Sequence, residues 1–468
     1  MTFCDRTLPF HLHLKSVQDS VLLCEQILRD LPGKRLVFRG LWQRRPVLVK
    51  LFLDSRSARR HWKREKDGVE ALEKASATVP QLLFDGQLTD GSFVLVFEFL
   101  PQAHTALEFW NTLGSEKCRL AFLQKIVELL GTLHEAGLAQ EDLHLGNFLI
   151  SDQKLYAIDG DAICIRNSGE SLAIRASSEN LALFFAQLNP EHDALMESVI
   201  QLYANQRSMD GIRLLEQVKL DLPKIRRRRR LKYVKKSYRS CSEFVRSKKT
   251  GQIAVARRDA QTEVLCQFLD DPDAFMRKGE LLKGGNTSTV VRVKVDDCDW
   301  VVKRYNIKNL RHALSRCFRP TRAWLSWGNA HRLKISGIAT PRAVAMVEKR
   351  IGPFRSKGYY VCDFISGVNA EAFFQSDSVT ASVKGQVAER FVCLFRLFHQ
   401  LHIRHGDCKA TNFQIKDNQP WVLDLDAMHE YSSPESFQKY FRMDRQRFLQ
   451  NWKSLPPLMH WFDEHLPG

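Results

Sequence analysis

The segment Asp142-Leu-His-Leu-Gly-Asn147, with Ile158-Asp159-Gly-Asp161-Ala162 downstream, returns 265 positions later. The second copy reads Asp407-Cys-Lys-Ala-Thr-Asn412, followed by Leu423-Asp424-Leu-Asp426-Ala427. In both copies the asparagine lies five residues after the first aspartate. In both, the next aspartate lies twelve residues after the asparagine. A repeated set with fixed internal gaps marks a duplicated domain. The 468-residue chain therefore reads as two units of roughly 230 residues each, placed at residues 1–250 and 251–468.

The text around the motif repeats as well. In the first copy, residues 35–38 and 46–52 are rich in β-formers and bracket a turn at Gly40. Residues 57–75 carry helical spacing, and Pro80 closes that element. Residues 93–99 form a buried strand. Leu123, Ile126, Val127, Leu130 and Leu133 make one helical stripe. The Asp142 motif follows as a loop, and residues 154–158 as a short strand. The second copy keeps this order, with strands at 290–295 and 300–303, a helix at 321–336 ended by Gly337 and Pro341, and a strand at 359–364. Its helical stripe is Val387, Phe391, Leu394, Phe395 and Phe398, followed by the Asp407 loop and a strand at 421–423. His134 and His399 each stand eight residues before the first aspartate, and read as buried imidazoles bonding the loop. Residues 240–275, dominated by Ser, Lys, Thr, Gly and Asp, read as the join.

Apolar content of 44% with 26% charged residues fits globular units with sizeable cores. No apolar run approaches the roughly 18 residues of a membrane span. Residues 1–6 lack the charged-then-apolar layout of a signal peptide. The 11 cysteines are scattered and form no Cys-x-x-Cys pair, so reduced cytosolic thiols are expected rather than a zinc site or disulfide framework. The formal charge of +17 is concentrated in residues 224–239, which hold ten Lys/Arg and no acid. Such a run suits anionic lipid, a polyphosphorylated substrate or nucleic acid, or is a solvated basic helix face. With two aromatics, Tyr233 and Tyr238, and no nucleic-acid module beside it, no nucleic-acid partner is expected.

The Asp–Asn–Asp spacing resembles the catalytic and metal-binding core of protein-kinase-like phosphotransferases. That resemblance assigns Asp142 and Asp407 to the proton of the acceptor hydroxyl. It assigns Asn147 and Asn412 to one Mg²⁺, and Asp159 and Asp424 to the bridging ion, since hard cations take oxygen ligands. Lys50 in Val-Leu-Val-Lys and Lys303 in Trp-Val-Val-Lys fit the strand lysine that pairs the α- and β-phosphates. Glu65, with Glu70 as an alternative, fits the helix glutamate that orients the lysine. The matching helix of the second copy, residues 322–331, has no glutamate, and Asn329 is the neutral stand-in. Gly284, Gly285, Asn286, Thr287 and Ser288 form a flexible loop whose backbone N–H groups can approach phosphate. The first copy offers only Gly33 and Gly40. Asp161 and Asp426 read equally as second metal ligands or as caps of a following helix. The first copy has Gln140-Glu141-Asp142, whereas His405-Gly406-Asp407 is closer to small-molecule kinases.

Lys303-Arg-Tyr-Asn306, Arg319-Pro-Thr-Arg-Ala-Trp324, Asn329-Ala-His-Arg-Leu333, Gly337-Ile-Ala-Thr-Pro341 and the segment His405 to Asn412 together resemble the bacterial lipopolysaccharide-core kinases (Kdo/WaaP, InaA-like). The resemblance covers most of residues 275–430. The first copy resembles the same superfamily through Lys63-Arg-Glu65, Pro80 and its aspartate motifs. It implies an α+β chain of two tandem protein-kinase-like domains, each a small β-rich N-lobe and a helical C-lobe. It implies ATP and Mg²⁺, and a heptose or Kdo hydroxyl of a lipid A-core precursor as substrate. The protein would then sit peripherally at the cytoplasmic face of the inner membrane, where residues 224–239 meet an anionic surface. Two other readings use the same residues. One is a protein kinase, which the His-Gly-Asp form and the lack of an Ala-Pro-Glu segment after Asp424 disfavour. The other is a non-catalytic double pseudokinase scaffold.

Overall fold

Strand text dominates the first half of each unit and helix text the second, with the helix Ala58–Lys74 interrupting the first sheet and the helix Arg322–Ile335 the second. The computed structural model describes residues 8–15, 21–31, 33–53, 56–166, 169–306 and 319–468. Residues 1–6, read above for targeting, lie outside that set. The class is α+β. The chain divides into residues 1–226 and 227–468, with the division inside the helix Gly211–Lys236 and not at residue 250. The polar text near 250 is a hairpin in which Phe244–Lys249 pairs with Gln252–Arg257. Gly251 supplies its turn at φ 73°. The first of these strands lies at the sheet edge, buries Phe244 and exposes most of the rest, so its composition mimics a linker.

The sheet of the first unit has six strands, in the spatial order Phe10–His13, Val21–Leu31, Arg35–Trp42, Arg45–Phe52, Phe93–Glu98 and Leu82–Gln87. Leu36, Phe38, Val47, Val49, Val94 and Val96 fill one apolar cluster. Gly40 is not a turn. It lies within Arg35–Trp42, where a Cβ would meet Leu23 O at 2.0 Å. The turn comes at Gln43 and Arg44, with φ of 51° and 64°, and its residue types hide it because the usual Gly or Asn is missing. Beyond the helix Ala58–Lys74, a second cluster packs the helices Glu116–Glu135, Ile174–Phe185 and Ala194–Gln206 around Leu123, Ile126, Val127 and Leu130.

The sheet of the second unit has seven strands: Phe244–Lys249, Gln252–Arg257, Ala343–Ile351, Phe354–Asp363, Cys298–Tyr305, Ser288–Val295 and Glu280–Lys283. The helices Glu263–Asp270 and Pro272–Lys278 cover one apolar cluster through Leu265, Phe268 and Met276. A larger cluster joins the helix Arg322–Ile335 to the long helix Ala381–Gln400, with Phe391, Phe395, Phe448 and Trp452 at its centre. Each such aromatic contributes about 1.5–3 kcal/mol by leaving water.

The two histidines differ. His134 is fully buried. It bonds Tyr203 Oη at 2.7 Å and Asn180 Oδ1 at 2.9 Å, and Asn180 donates to Gln140 O at 2.8 Å. It thus steadies the loop through a relay. His399 is only half-buried and meets Gln438, so the loop contact expected of it is absent. In the second unit that task falls to His405, which is buried and bonds Leu423 O at 2.9 Å.

The basic run is also divided. Arg226 is buried and grips both oxygens of Asp193, at 2.7 and 2.6 Å. Arg230 is buried against Glu430 at 2.9 Å, and Lys236 meets Glu243 at 2.6 Å. These cations are internal ties. Arg228, Lys232, Lys235 and Arg239 are exposed; the first three, at spacings of four and three, lie near one helical face, and Arg239 follows just beyond the helix end. Among the described residues no helix is long and apolar enough to cross a membrane.

Candidate active site

In the second unit the strand Cys298–Tyr305 carries Lys303 to the wall of a cavity of about 440 Å³. Val290, Val301, Tyr360 and Val422 give it apolar walls, and Asp424, Asn412 and Ser288 give it a polar end. Lys303 Nζ donates to Asp424 Oδ1 and lies 3.2 Å from Asp426 Oδ2. Burial pushes the Asp424 carboxyl up, but the adjacent Lys303 ammonium outweighs this and holds it below the ordinary range. Asn412 donates through Nδ2 to Asp407 O at 2.9 Å and to Asp407 Oδ2 at 3.2 Å. That turns its Oδ1 side away as an oxygen donor. Asp407 also receives Lys409 Nζ at 3.0 Å.

Gly284, Gly285, Asn286 and Thr287 form an exposed connection between Glu280–Lys283 and the strand beginning at Ser288. Asn306 ties it down, donating from its side chain to Gly285 O at 3.2 Å and from its backbone to Thr287 O at 3.1 Å. Lys283 and Ser288, which flank the loop, line the cavity.

In the first unit Lys50 Nζ pairs with Glu65 Oε1 and lies 3.9 Å from Asp159 Oδ1. Glu65 is fully buried and accepts from the backbone N–H of Gly160 and of Asp161, each at 3.3 Å. Glu70 is turned away and pairs with Lys66 at 3.8 Å. The helix comes this close because Gly68 and Gly160 face each other, and a Cβ on Gly68 would stand 2.0 Å from Gly160 O. Asn147 donates to Asp142 O at 2.7 Å, repeating the second unit. The carboxylate of Asp142 is exposed, with His144 Nε2 at 3.8 Å. Burial raises the Asp159 carboxyl, and Lys50 with Arg35 more than reverses this, leaving it low.

The first unit departs from the second in two ways. Between the strands Val21–Leu31 and Arg35–Trp42, Lys34 N–H donates to Leu31 O at 2.9 Å, where the second unit has its glycine loop. Arg35 Nη1 lies 3.6 Å from Glu65 Oε2 and 4.0 Å from Asp159 Oδ1. A fixed guanidinium thus stands beside the aspartate meant for a metal ion. In the second unit, Lys409, two residues after Asp407, sets a cation against its carboxylate.

Asn329 does not reach Lys303. It donates to Leu425 O at 2.7 Å and Met428 O at 3.0 Å, locking the helix to the Asp424 segment. Asp161 and Asp426 likewise take partners from their helices. Asp161 meets His61 at 3.3 Å and Arg64 at 3.2 Å, and Asp426 meets Arg322 at 2.8 Å.

Among the described residues no three His, Cys, Asp or Glu side chains converge to hold a metal by themselves. Asp424 with the Oδ1 of Asn412 is a two-oxygen set. It suits Mg²⁺ shared with substrate phosphates, since Mg²⁺ usually takes one or two carboxylates and completes its shell elsewhere. The first unit offers the same pair, Asp159 and Asn147, with Arg35 already beside the aspartate.

Residues 268–442 match the model of the Lipopolysaccharide kinase (Kdo/WaaP) family. No curated protein matches the chain.

Proposed function

We propose that the second unit, whose residues 268–442 match the model of the Lipopolysaccharide kinase (Kdo/WaaP) family, transfers the terminal phosphoryl group of ATP to a heptose or Kdo hydroxyl of a lipid A-core precursor. The cavity that joins apolar walls to the Lys303, Asp424 and Asn412 end carries this reading. A base fits between Val290, Val301 and Val422. The triphosphate then runs beneath the Gly284-Gly285 loop toward Lys303. Asp407 aligns the acceptor hydroxyl and accepts its proton. Lys409 beside it offsets the charge of the transferred group. Mg²⁺, held by Asp424 and Asn412, would neutralise the phosphates.

Both units are proposed to be kinase-like in architecture, with transfer assigned to the second. The Arg35 guanidinium beside Asp159 and the sparse glycine at the place of the phosphate loop favour a non-transferring first unit. The exposed face of Arg228, Lys232, Lys235 and Arg239 is proposed to hold the protein to the anionic cytoplasmic leaflet of the inner membrane. Mass spectrometry of core oligosaccharide tests the assignment. Core phosphate should vanish with Asp407→Asn and persist with Asp142→Asn, and the reverse result would move transfer to the first unit.

A further inference from the structure

The two helices that face the lysines align at one constant offset of 261 residues. His61 and Arg322 each reach the carboxylate two residues beyond the metal aspartate, at 3.3 Å and 2.8 Å. Gly68 and Asn329 each press on the backbone of the residue directly after that aspartate, Gly160 and Leu425. The same offset puts Ser326 in the place of Glu65. Ser326 is almost wholly buried, lines the cavity and shares a 2.8 Å hydrogen bond with Tyr305 Oη. Tyr305 in turn stands where the first unit has Phe52, two residues past the lysine. An uncharged Ser–Tyr pair thus occupies the position from which Glu65 grips Lys50.

Lys303 still has a carboxylate partner besides Asp424. Asp426 is buried, with Oδ2 3.2 Å from Lys303 Nζ and 2.8 Å from Arg322 Nη2. Arg322 is itself braced 5.0 Å over the Tyr305 ring. Resting on the nucleotide-binding reading, we propose that Asp426 is the positioning carboxylate of Lys303, supplied from the metal-aspartate segment and anchored by Arg322, in place of the absent helix glutamate. A carboxylate clamped between two protein cations is poorly placed to be a metal ligand. The division of labour leaves Asp424 to exchange its lysine for an ion, while Asp426 keeps the ammonium aimed at the phosphates.

ATP affinity of the intact chain, carrying Lys50→Met to silence the first unit, tests this with and without Mg²⁺. Asp426→Asn should weaken ATP by about tenfold and leave the Mg²⁺ concentration for half-effect unchanged, whereas Asp424→Asn should raise it. In a Lys303→Met background Asp426→Asn should cost nothing further, because the interaction it removes is already gone. Adding Ser326→Glu to Asp426→Asn should restore at least about threefold by rebuilding the first unit's arrangement. Should Asp426→Asn fold poorly, Arg322→Gln is the gentler probe, with about threefold loss that also disappears in the Lys303→Met background. Equal losses in both lysine backgrounds would overturn the proposal, as would a Mg²⁺ shift matching that of Asp424→Asn. A starting chain that binds no ATP would overturn the nucleotide reading and this assignment with it. Binding without coupling would remove this assignment alone.

Discussion

Asp159 and Asp424 both take left-handed backbone, with φ of 73° and 55°. This turn aims each carboxylate at its lysine, and aspartate is among the side chains that adopt it most readily. Sequence spacing located both aspartates, because the motif fixes their separation from the asparagine. It could not show what else would arrive. Arg35 sits on a strand of ordinary β text, and only the fold brings it to Asp159. Asp426 looked like a ligand or a cap because spacing says nothing of Arg322, which approaches from another element. Gly406 illustrates a residue whose type is dictated. Its φ is 87°, and a Cβ there would meet Ala427 O at 2.6 Å. Gly406→Ala should therefore lower the stability of the second unit by about 1–3 kcal/mol and reduce ATP-dependent transfer. Glu141, at the equivalent place in the first unit, is exposed, and Glu141→Ala should change neither. A thermal unfolding midpoint unaffected by Gly406→Ala would contradict this account.

Elements with strong periodicity were legible, and those with mixed faces were not. The helical stripes of Glu116–Glu135 and Ala381–Gln400 follow directly from apolar spacing. The helix Gly211–Lys236 was hidden because its buried side is partly arginine, satisfied by Asp193 and Glu430, and hydrophobic patterning does not register such a face. The two halves of its basic run give opposite expectations. Arg230→Ser strips a partner from buried Glu430 and should cost up to about 3 kcal/mol. Replacing Arg228, Lys232, Lys235 and Arg239 together with Ser should leave stability within about 0.5 kcal/mol. It should release the protein from anionic vesicles, at about 1 kcal/mol for each cation that reaches the surface. Vesicle binding indifferent to these four changes and to 1 M salt would remove the electrostatic basis for membrane docking.

The buried histidine His134 also belongs at this scale. Burial lowers its pKa from 6.5 to about 4. The unfolded chain takes up a proton below pH 6.5, while the folded unit does not until about pH 4. Its contribution is complete above pH 6.5 and is lost as pH falls through that window, by about 3 kcal/mol in all. Urea midpoints at pH 7 and pH 5 measure the loss. It should be clearly smaller in His134→Asn, and an unchanged difference would refute the assignment.

At the scale of the whole chain, the Asp–Asn–Asp spacing occurs twice, and the surroundings of the two sets differ. The first unit keeps the Lys50–Glu65 pair, which spacing revealed, but lacks the phosphate loop and sets Arg35 against Asp159. The second keeps the loop and the cavity, and draws its lysine partner from Asp426. A guanidinium 4.0 Å from the Asp159 carboxylate would oppose a divalent ion there by direct repulsion, which the half-buried setting screens only partly. The chain should therefore bind one Mg²⁺–ATP, in the second unit. Calorimetric stoichiometry should be near one, with that binding weakened by Lys303→Met and unchanged by Lys50→Met. Arg35→Ala, which removes the competing cation while leaving Lys50, Glu65 and Asp159 intact, should raise the stoichiometry toward two, with the added site weaker because no glycine loop covers it. Two Mg²⁺–ATP bound by the unaltered chain would show that Arg35 yields to the ion, and that the first unit is a second nucleotide site in its own right.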